Sequence, residues 1–201
     1  MDTDTYKTIE TSSNGIYKEK GSKFISCAYP ITNEDNIKEH IQNIKQKYFD
    51  ANHRCFAWKL GINNNNWRTN DDGEPSGTAG KPILGQIKSH ELTNIIIFVI
   101  RYFGGTKLGT SGLINAYKSA AANAIDNAII VEKTVNILYE IFFSYDVLND
   151  VMRTIKEEGI LIISQKFDLN CSITFSVRVA KSENIITKLE KIKSVISIIK
   201  S

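Results

Sequence analysis

The chain predicts a mixed α/β (α+β) protein, with an N-terminal α/β domain over residues 1–131 and a ferredoxin-like domain over 132–201. Three observations carry this. The run Ile95-Ile96-Ile97-Phe98-Val99-Ile100 is continuously apolar, which suits a strand buried on both faces. Leu113, Ala116, Tyr117, Ala120, Ala121, Ala124 and Ile125 share one broad helical face, and the many alanines among them suit close packing on a sheet. Beyond residue 132 the elements follow the order βαββαβ, the ferredoxin-like pattern.

Taken in order, Lys23 to Tyr29 reads as a strand. Thr32 is placed to cap a helix through Tyr48, with Asp35 in the capping-box position and Ile37, Ile41 and Ile44 toward the core. His53 to Leu60 is a second strand, and Asn63 to Asn66 a surface turn. Pro82 opens a short helix ending near His90. Asn94 to Phe103 is the buried strand and Leu113 to Asn127 the alanine-rich helix. The second domain reads as strand Val135 to Ser144, helix Asp146 to Glu158 stopped at Gly159, strands Ile160 to Phe167 and Ser172 to Val179, a helix capped by Ser182, and a last strand Val195 to Ile199. The boundary falls between Val131 and Thr134 without a Pro/Gly/Ser-rich linker.

Composition excludes several classes. A net charge of +3 on 201 residues does not describe a polybasic nucleic-acid module. Three widely spaced cysteines without a CxxC pair disfavour a zinc ribbon or redox motif and fit reduced thiols. The acidic, polar start Met1-Asp2-Thr3-Asp4-Thr5 is unlike a signal peptide, and Ile95 to Ile100 is too short to span a bilayer. A cytoplasmic location and no membrane partner are expected.

Two glycine-dense segments stand out, Asp71 to Pro82 and Arg101 to Gly112, which hold more than half of the twelve glycines. Each runs toward a helix, where unpaired N–H groups favour anions. The first is not a Walker A loop: Pro75 stands where the motif needs glycine, and Pro82 where it needs Ser or Thr. Neither segment contains GxGxxG. Asp71, Asp72 and Glu74 resemble a hard-metal cluster, but the favoured account is a turn at Asp72-Gly73 and a pair between Glu74 and a loop cation such as Arg101. His53 and Cys55 share a strand face; a packed Cys55, with His53 hydrogen-bonded near the sheet end, is favoured over a nucleophile or metal pair. Ser76, Thr78, Thr110 and Ser111 are read as turn and cap hydroxyls, because no GxSxG elbow surrounds them. Arg54, Lys81, Arg101, Lys107 and Lys118 fall in or beside the loops. If the loops meet they form a basic patch with Tyr102 and Phe103 available to stack on bases, and the competing account is a structural Arg101 with solvated lysines. No catalytic residue, metal or cofactor is expected.

The segments Gly21-Ser22-Lys23-Phe24, His53-x-Cys55-x-Ala57, Asp71 to Leu84 and Arg101 to Tyr117, spread over residues 15–128, resemble the IMPACT family in its bacterial, YigZ-type form. The resemblance implies an N-terminal domain similar to a ribosomal-protein and elongation-factor domain, followed by one similar to the last domain of elongation factor G. Eukaryotic relatives regulate translation by interfering with activation of an eIF-two-alpha kinase, a role that does not carry over by resemblance alone. For the bacterial members the resemblance implies nucleic-acid or ribosome binding by analogy of fold. Carried over by position, the implied surface comprises Asp72, Gly73, Glu74, Ser76, Gly77, Thr78, Ala79, Gly80, Lys81 and Pro82, then Arg101, Tyr102, Phe103, Gly104, Gly105, Lys107, Leu108 and Gly109. Asn70, Ser111 and Asn115 depart from the serine, glycine and arginine of the family pattern. The expected function is non-enzymatic binding of RNA, a ribosome-associated surface or a translation-associated protein, modulating translation. One alternative is an enzyme acting on a small phosphorylated or peptide-like substrate at the two loops. Another makes the loops purely architectural, with Glu74 bridging to the second loop and the glycines permitting tight packing.

Overall fold

The structure is a computed structural model that describes residues 4–62, 66–168 and 170–193, together with the backbone of 195–200. Residues 63–65 of the expected Asn63 to Asn66 turn lie outside the described residues. The chain forms two compact units, one over Tyr6–Lys133 and the other over Met1–Thr5 with Thr134–Ser201.

The larger unit is organised by an antiparallel sheet of β2 (Ser13–Glu19), β3 (Ser22–Pro30), β6 (Ile95–Tyr102), β4 (His53–Lys59) and β5 (Trp67–Asn70), in that spatial order. The apolar run is its central strand, and strand alternation divides the run between two cores. Ile95, Ile97 and Val99 pack with α2 (Gly80–Ser89) and α3 (Gly109–Asp126). Ile96, Phe98 and Ile100 face the opposite side, with Ile37 and Ile44 of α1 (Glu34–Lys47). Helices on both faces therefore explain why the strand shows no polar alternation. Strands β1 (Thr5–Ile9) and β7 (Ile130–Thr134) form a separate two-stranded sheet.

Sequence reasoning placed α1's cap one residue early. Asn33 is the N-cap, accepting from the Asn36 N–H at 2.9 Å, while the Thr32 hydroxyl donates to Asn36 Oδ1. Asn outranks Thr as a cap, and Thr32 is left to close the turn. Helix α3 begins at Gly109 rather than Leu113, so the end of the second glycine segment is helical.

In the smaller unit, β8 (Asn136–Ser144), α4 (Leu148–Glu157, preceded by the 3₁₀ turn Tyr145–Val147), β9 (Leu161–Lys166), β10 (Asn170–Arg178), α5 (Val179–Glu190) and β11 (Val195–Lys200) form the βαββαβ order. The antiparallel sheet runs β11-β8-β10-β9, the ferredoxin-like arrangement. Ser182 is not the cap of α5. It sits inside the first turn, donating to the Val179 carbonyl at 2.8 Å. The Asp4 carboxylate takes the capping role instead, accepting from the Ala180 N–H at 3.0 Å and from Arg178 Nε and Nη2 at 2.6 and 2.7 Å.

Candidate functional site

Register builds the site. Arg101 is paired with Phe24 of β3 on one side and with His53 of β4 on the other. Two residues beyond Val99, it points to the α2/α3 side of the sheet, as does His53 two residues before Cys55. A cationic side chain thus enters the edge of an apolar core, with only 5% of its surface exposed. Its compensation comes from the first glycine loop. Glu74, 8% exposed, accepts from Arg101 Nη1 at 2.6 Å and from the Tyr117 hydroxyl at 2.8 Å, both on Oε1. The expected pairing of Glu74 with Arg101 is present, and it ties the two loops together. The guanidinium also lies 5.5 Å from the Phe24 ring and 5.4 Å from the Phe103 ring, a stacking arrangement that lowers the cost of its burial.

His53 has a defined tautomer. Its Nδ1 lies 2.8 Å from the Asp72 carbonyl, which can only accept, so Nδ1 carries the proton. Nε2 is left 3.8 Å from Glu74 Oε1. Behind them, Cys55 Sγ lies 3.0 Å from the Asp71 carbonyl and 3.4 Å from the Tyr117 hydroxyl. Burial pushes both the Cys55 thiol and the Tyr117 phenol well above their ordinary ranges. Cys55 is therefore a packed, neutral thiol, not an activated nucleophile.

Asp71 organises the first loop. Its Oδ2 accepts from Gly77 N–H at 2.9 Å, and its Oδ1 from Ala79 and Gly80 N–H at 3.0 and 2.8 Å. An internal carboxylate thus occupies the N–H groups at the start of α2, which corrects the expectation that this loop offers them to an external phosphate. Thr78 donates to the Pro75 carbonyl, and Asp72 accepts from the Arg54 N–H at 2.7 Å. Gly80 is required for packing, because a Cβ there would stand 2.9 Å from the Asn70 nitrogen. Gly104 is likewise architectural: a Cβ there would fall 1.9 Å from the Gly21 carbonyl carbon.

The two loops enclose a cleft of about 480 Å³ lined by Asn52, His53, Glu74, Pro75, Arg101, Phe103, Lys107, Leu108, Gly109, Thr110 and Leu113. Of the surface that the family resemblance implies, Glu74, Arg101, Phe103, Lys107, Leu108 and Gly109 line it. Asp72, Gly73, Ser76, Gly77, Thr78, Gly80, Lys81, Tyr102, Gly104 and Gly105 are not among its lining residues. Tyr102 packs with the α1-side core, its hydroxyl donating to Asp50 at 2.9 Å, so it does not join Phe103 in a stacking pair. Arg54 is directed to the Tyr48, Phe49 and Ala51 carbonyls and to Asp72. Sequence reasoning missed His53 and Thr110 as cleft residues; the signal for His53 was its register opposite Arg101, which a single sequence does not display.

Sheet, loops and cleft define a two-unit α/β protein with a candidate ligand cleft in the larger unit, and no helix among the described residues is long and apolar enough to cross a membrane. Residues 20–125 match the Impact N-terminal domain. The chain belongs to the IMPACT family. It is 35% identical over 159 residues to the IMPACT family member YvyE of Bacillus subtilis (strain 168), spanning 79% of this chain and 73% of that one. The IMPACT family member YigZ of Escherichia coli (strain K12) is 33% identical over 134 residues, 66% of each chain. A solved structure described as a hypothetical protein is similar with TM-score 0.75 at 26% identity, over 98% of this chain and 97% of that one.

Proposed function

We propose that this protein binds RNA in the cleft between its two glycine-rich loops, the binding that the family resemblance implies by analogy of fold, and modulates translation. One observation carries the reading: Arg101, Lys107 and the aromatic ring of Phe103 converge on a single cleft at the start of α3. Lys107 and a helix N-terminus supply attraction for phosphate, Arg101, its charge compensated by Glu74, supplies a fixed donor, and an aromatic face supplies a platform for a base. With few cations available, binding should be modest in affinity and shallow in salt dependence, from roughly two to four phosphate contacts. Fluorescence anisotropy with single-stranded RNA, titrated against salt, tests this. Lys107→Ala should weaken binding, whereas Lys81→Ala, on the exposed surface away from the cleft lining, should not. Undiminished binding by the double variant rejects the site.

The concavity of the cleft favours a second reading, an enzyme acting on a small phosphorylated or peptide-like substrate. In that account His53 Nε2, its tautomer fixed by Asp72, is the proton acceptor, and Arg101 positions the substrate's charge. Turnover of a small phosphorylated compound that is lost in His53→Gln would favour it over the RNA reading.

A further inference from the structure

We propose that the cleft seats a terminal phosphate monoester, held by the first-turn N–H groups of α3 and by Lys107 and Arg101. For the identity of the molecule bearing that phosphate, the inference rests on the RNA reading above; the phosphate site itself does not.

The two helices that leave the glycine loops have opposite N-termini. That of α2 is filled by Asp71. Helix α3 starts after Leu108, which makes no side-chain cap, and its first turn carries no acidic residue. Gly109 enters the helix with a φ of +73°, so the aligned peptide dipoles of α3 begin at Thr110, and both residues stand on the cleft wall.

A second, independent observation points to the same ligand. Arg101 also lines the cleft and its side chain is buried; its Nη1 is bonded to Glu74, whereas Nη2 makes no hydrogen bond among the described residues, and Nε is buried out of a ligand's reach. A guanidinium held in place by one buried ion pair, with a second nitrogen left unbonded on a cleft wall, presents a fixed donor to an anionic ligand there. Lys107 is exposed on the same wall, with no carboxylate partner among the described residues. Arg101 is neutralised by Glu74, so Lys107 and the helix terminus remain as positive charge, which suits an anion of more than one charge. The volume exceeds that of a phosphate ion and falls in the range of small-molecule sites. Leu108, Leu113 and Phe103 give the remaining wall an apolar and aromatic character suited to a base. An internal RNA phosphodiester has one charge and two flanking chains to accommodate, whereas a terminal monoester brings a second charge and enters end-on.

The test is an amide-resolved NMR titration of the full chain with inorganic phosphate, adenosine 5′-monophosphate and adenosine, beside anisotropy with 5′-phosphorylated and 5′-hydroxyl forms of one oligoribonucleotide. Phosphate and the monophosphate should shift the Gly109 and Thr110 amides, and adenosine should not. Lys107→Ala should weaken the monophosphate roughly tenfold, about the value of one charge-assisted hydrogen bond. Thr110→Pro, which removes one N–H at a first-turn position that tolerates proline, should weaken it as well. Phosphate-induced shifts without RNA binding would uphold the site and reject RNA as its bearer. Equal affinity for the 5′-phosphorylated and 5′-hydroxyl RNA, with unmoved Gly109 and Thr110 amides at millimolar phosphate, would overturn the inference and leave the RNA reading standing.

Discussion

Replacing Glu74 by alanine should remove a large part of the stability of the larger unit. The carboxylate is the acidic partner of Arg101, whose side chain is 93% withdrawn from solvent (7% exposed), and it is also the acceptor for the buried Tyr117 hydroxyl. Truncating one member of a buried ion pair typically costs about 3–5 kcal/mol, because the surviving charge stays buried without compensation. Orphaning the Tyr117 hydroxyl adds about 1–3 kcal/mol. Two features pull the sum down. The Phe24 and Phe103 rings still flank the guanidinium, and the adjoining cleft can admit water to it. A net loss of about 4 kcal/mol is the expectation.

Both tryptophans, Trp58 and Trp67, lie in the larger unit, so urea unfolding followed by their fluorescence reports on that unit. With an m-value near ~2 kcal/mol/M the midpoint should fall by about 2 M. Glu74→Gln, which keeps an acceptor oxygen but loses the charge, should cost less, about 1–2 kcal/mol. Combining Glu74→Gln with Arg101→Met should cost less than the sum of the two single changes, since neither charge then remains unpaired. A Glu74→Ala variant within about 1 kcal/mol of the parent, or strict additivity in the double variant, would refute the view that this pair joins the loops.

The other predictions concern groups outside the cleft's mouth. The hydrogen bond from Arg178 holds the Asp4 carboxyl below its ordinary value, so its stabilising contribution is present above the unfolded-state value and is lost as pH falls through the folded-state value. Asp4→Asn should therefore lower the melting temperature at neutral pH, and the gap should close on acidification below about pH 4; circular-dichroism melts across that range with a pH-independent gap would contradict it. Cys27, Cys55 and Cys171 are all free and buried, and burial raises the Cys27 and Cys55 thiols. A colorimetric disulfide reagent at mildly alkaline pH should leave the native protein unlabelled and titrate three thiols after denaturation. Rapid labelling of Cys55 in the native state would show that the core behind the cleft is open.

What could be read in the sequence follows from where hydrophobic burial dictates periodicity. The Ile95 to Ile100 run, the alanine face of α3 and the βαββαβ order are such cases. Strands β1, β2, β5 and β7 were invisible to this logic. In the main sheet, β2 and β5 are edge strands, Ser13–Glu19 and Trp67–Asn70, with few apolar residues, and they exist because β3 and β4 present unpaired backbone groups to them. The glycines posed a different difficulty. Close approach of a ligand and close approach of Gly21 demand the same missing Cβ, so Gly104 could not be assigned from sequence. The Asp71 bonds span up to nine residues, beyond any local capping pattern.

The two glycine-rich loops resemble each other in sequence but differ in their acids. Asp71, Asp72 and Glu74 begin the first loop, and the segment Arg101 to Gly112 contains no carboxylate at all. In the folded chain those three acids face inward: Asp71 to the α2 N-terminus, Asp72 to Arg54, Glu74 to Arg101. The first loop thereby satisfies its own donors and one charge of the second. Removing its acids would expose a second anion-attracting terminus at α2 and leave Arg101 uncompensated. Adding an acid to the second loop would cap α3 and close its terminus to any external anion. Glycine content alone makes both loops candidates for an anion, and it is the placement of carboxylates that leaves the start of α3 as the open one.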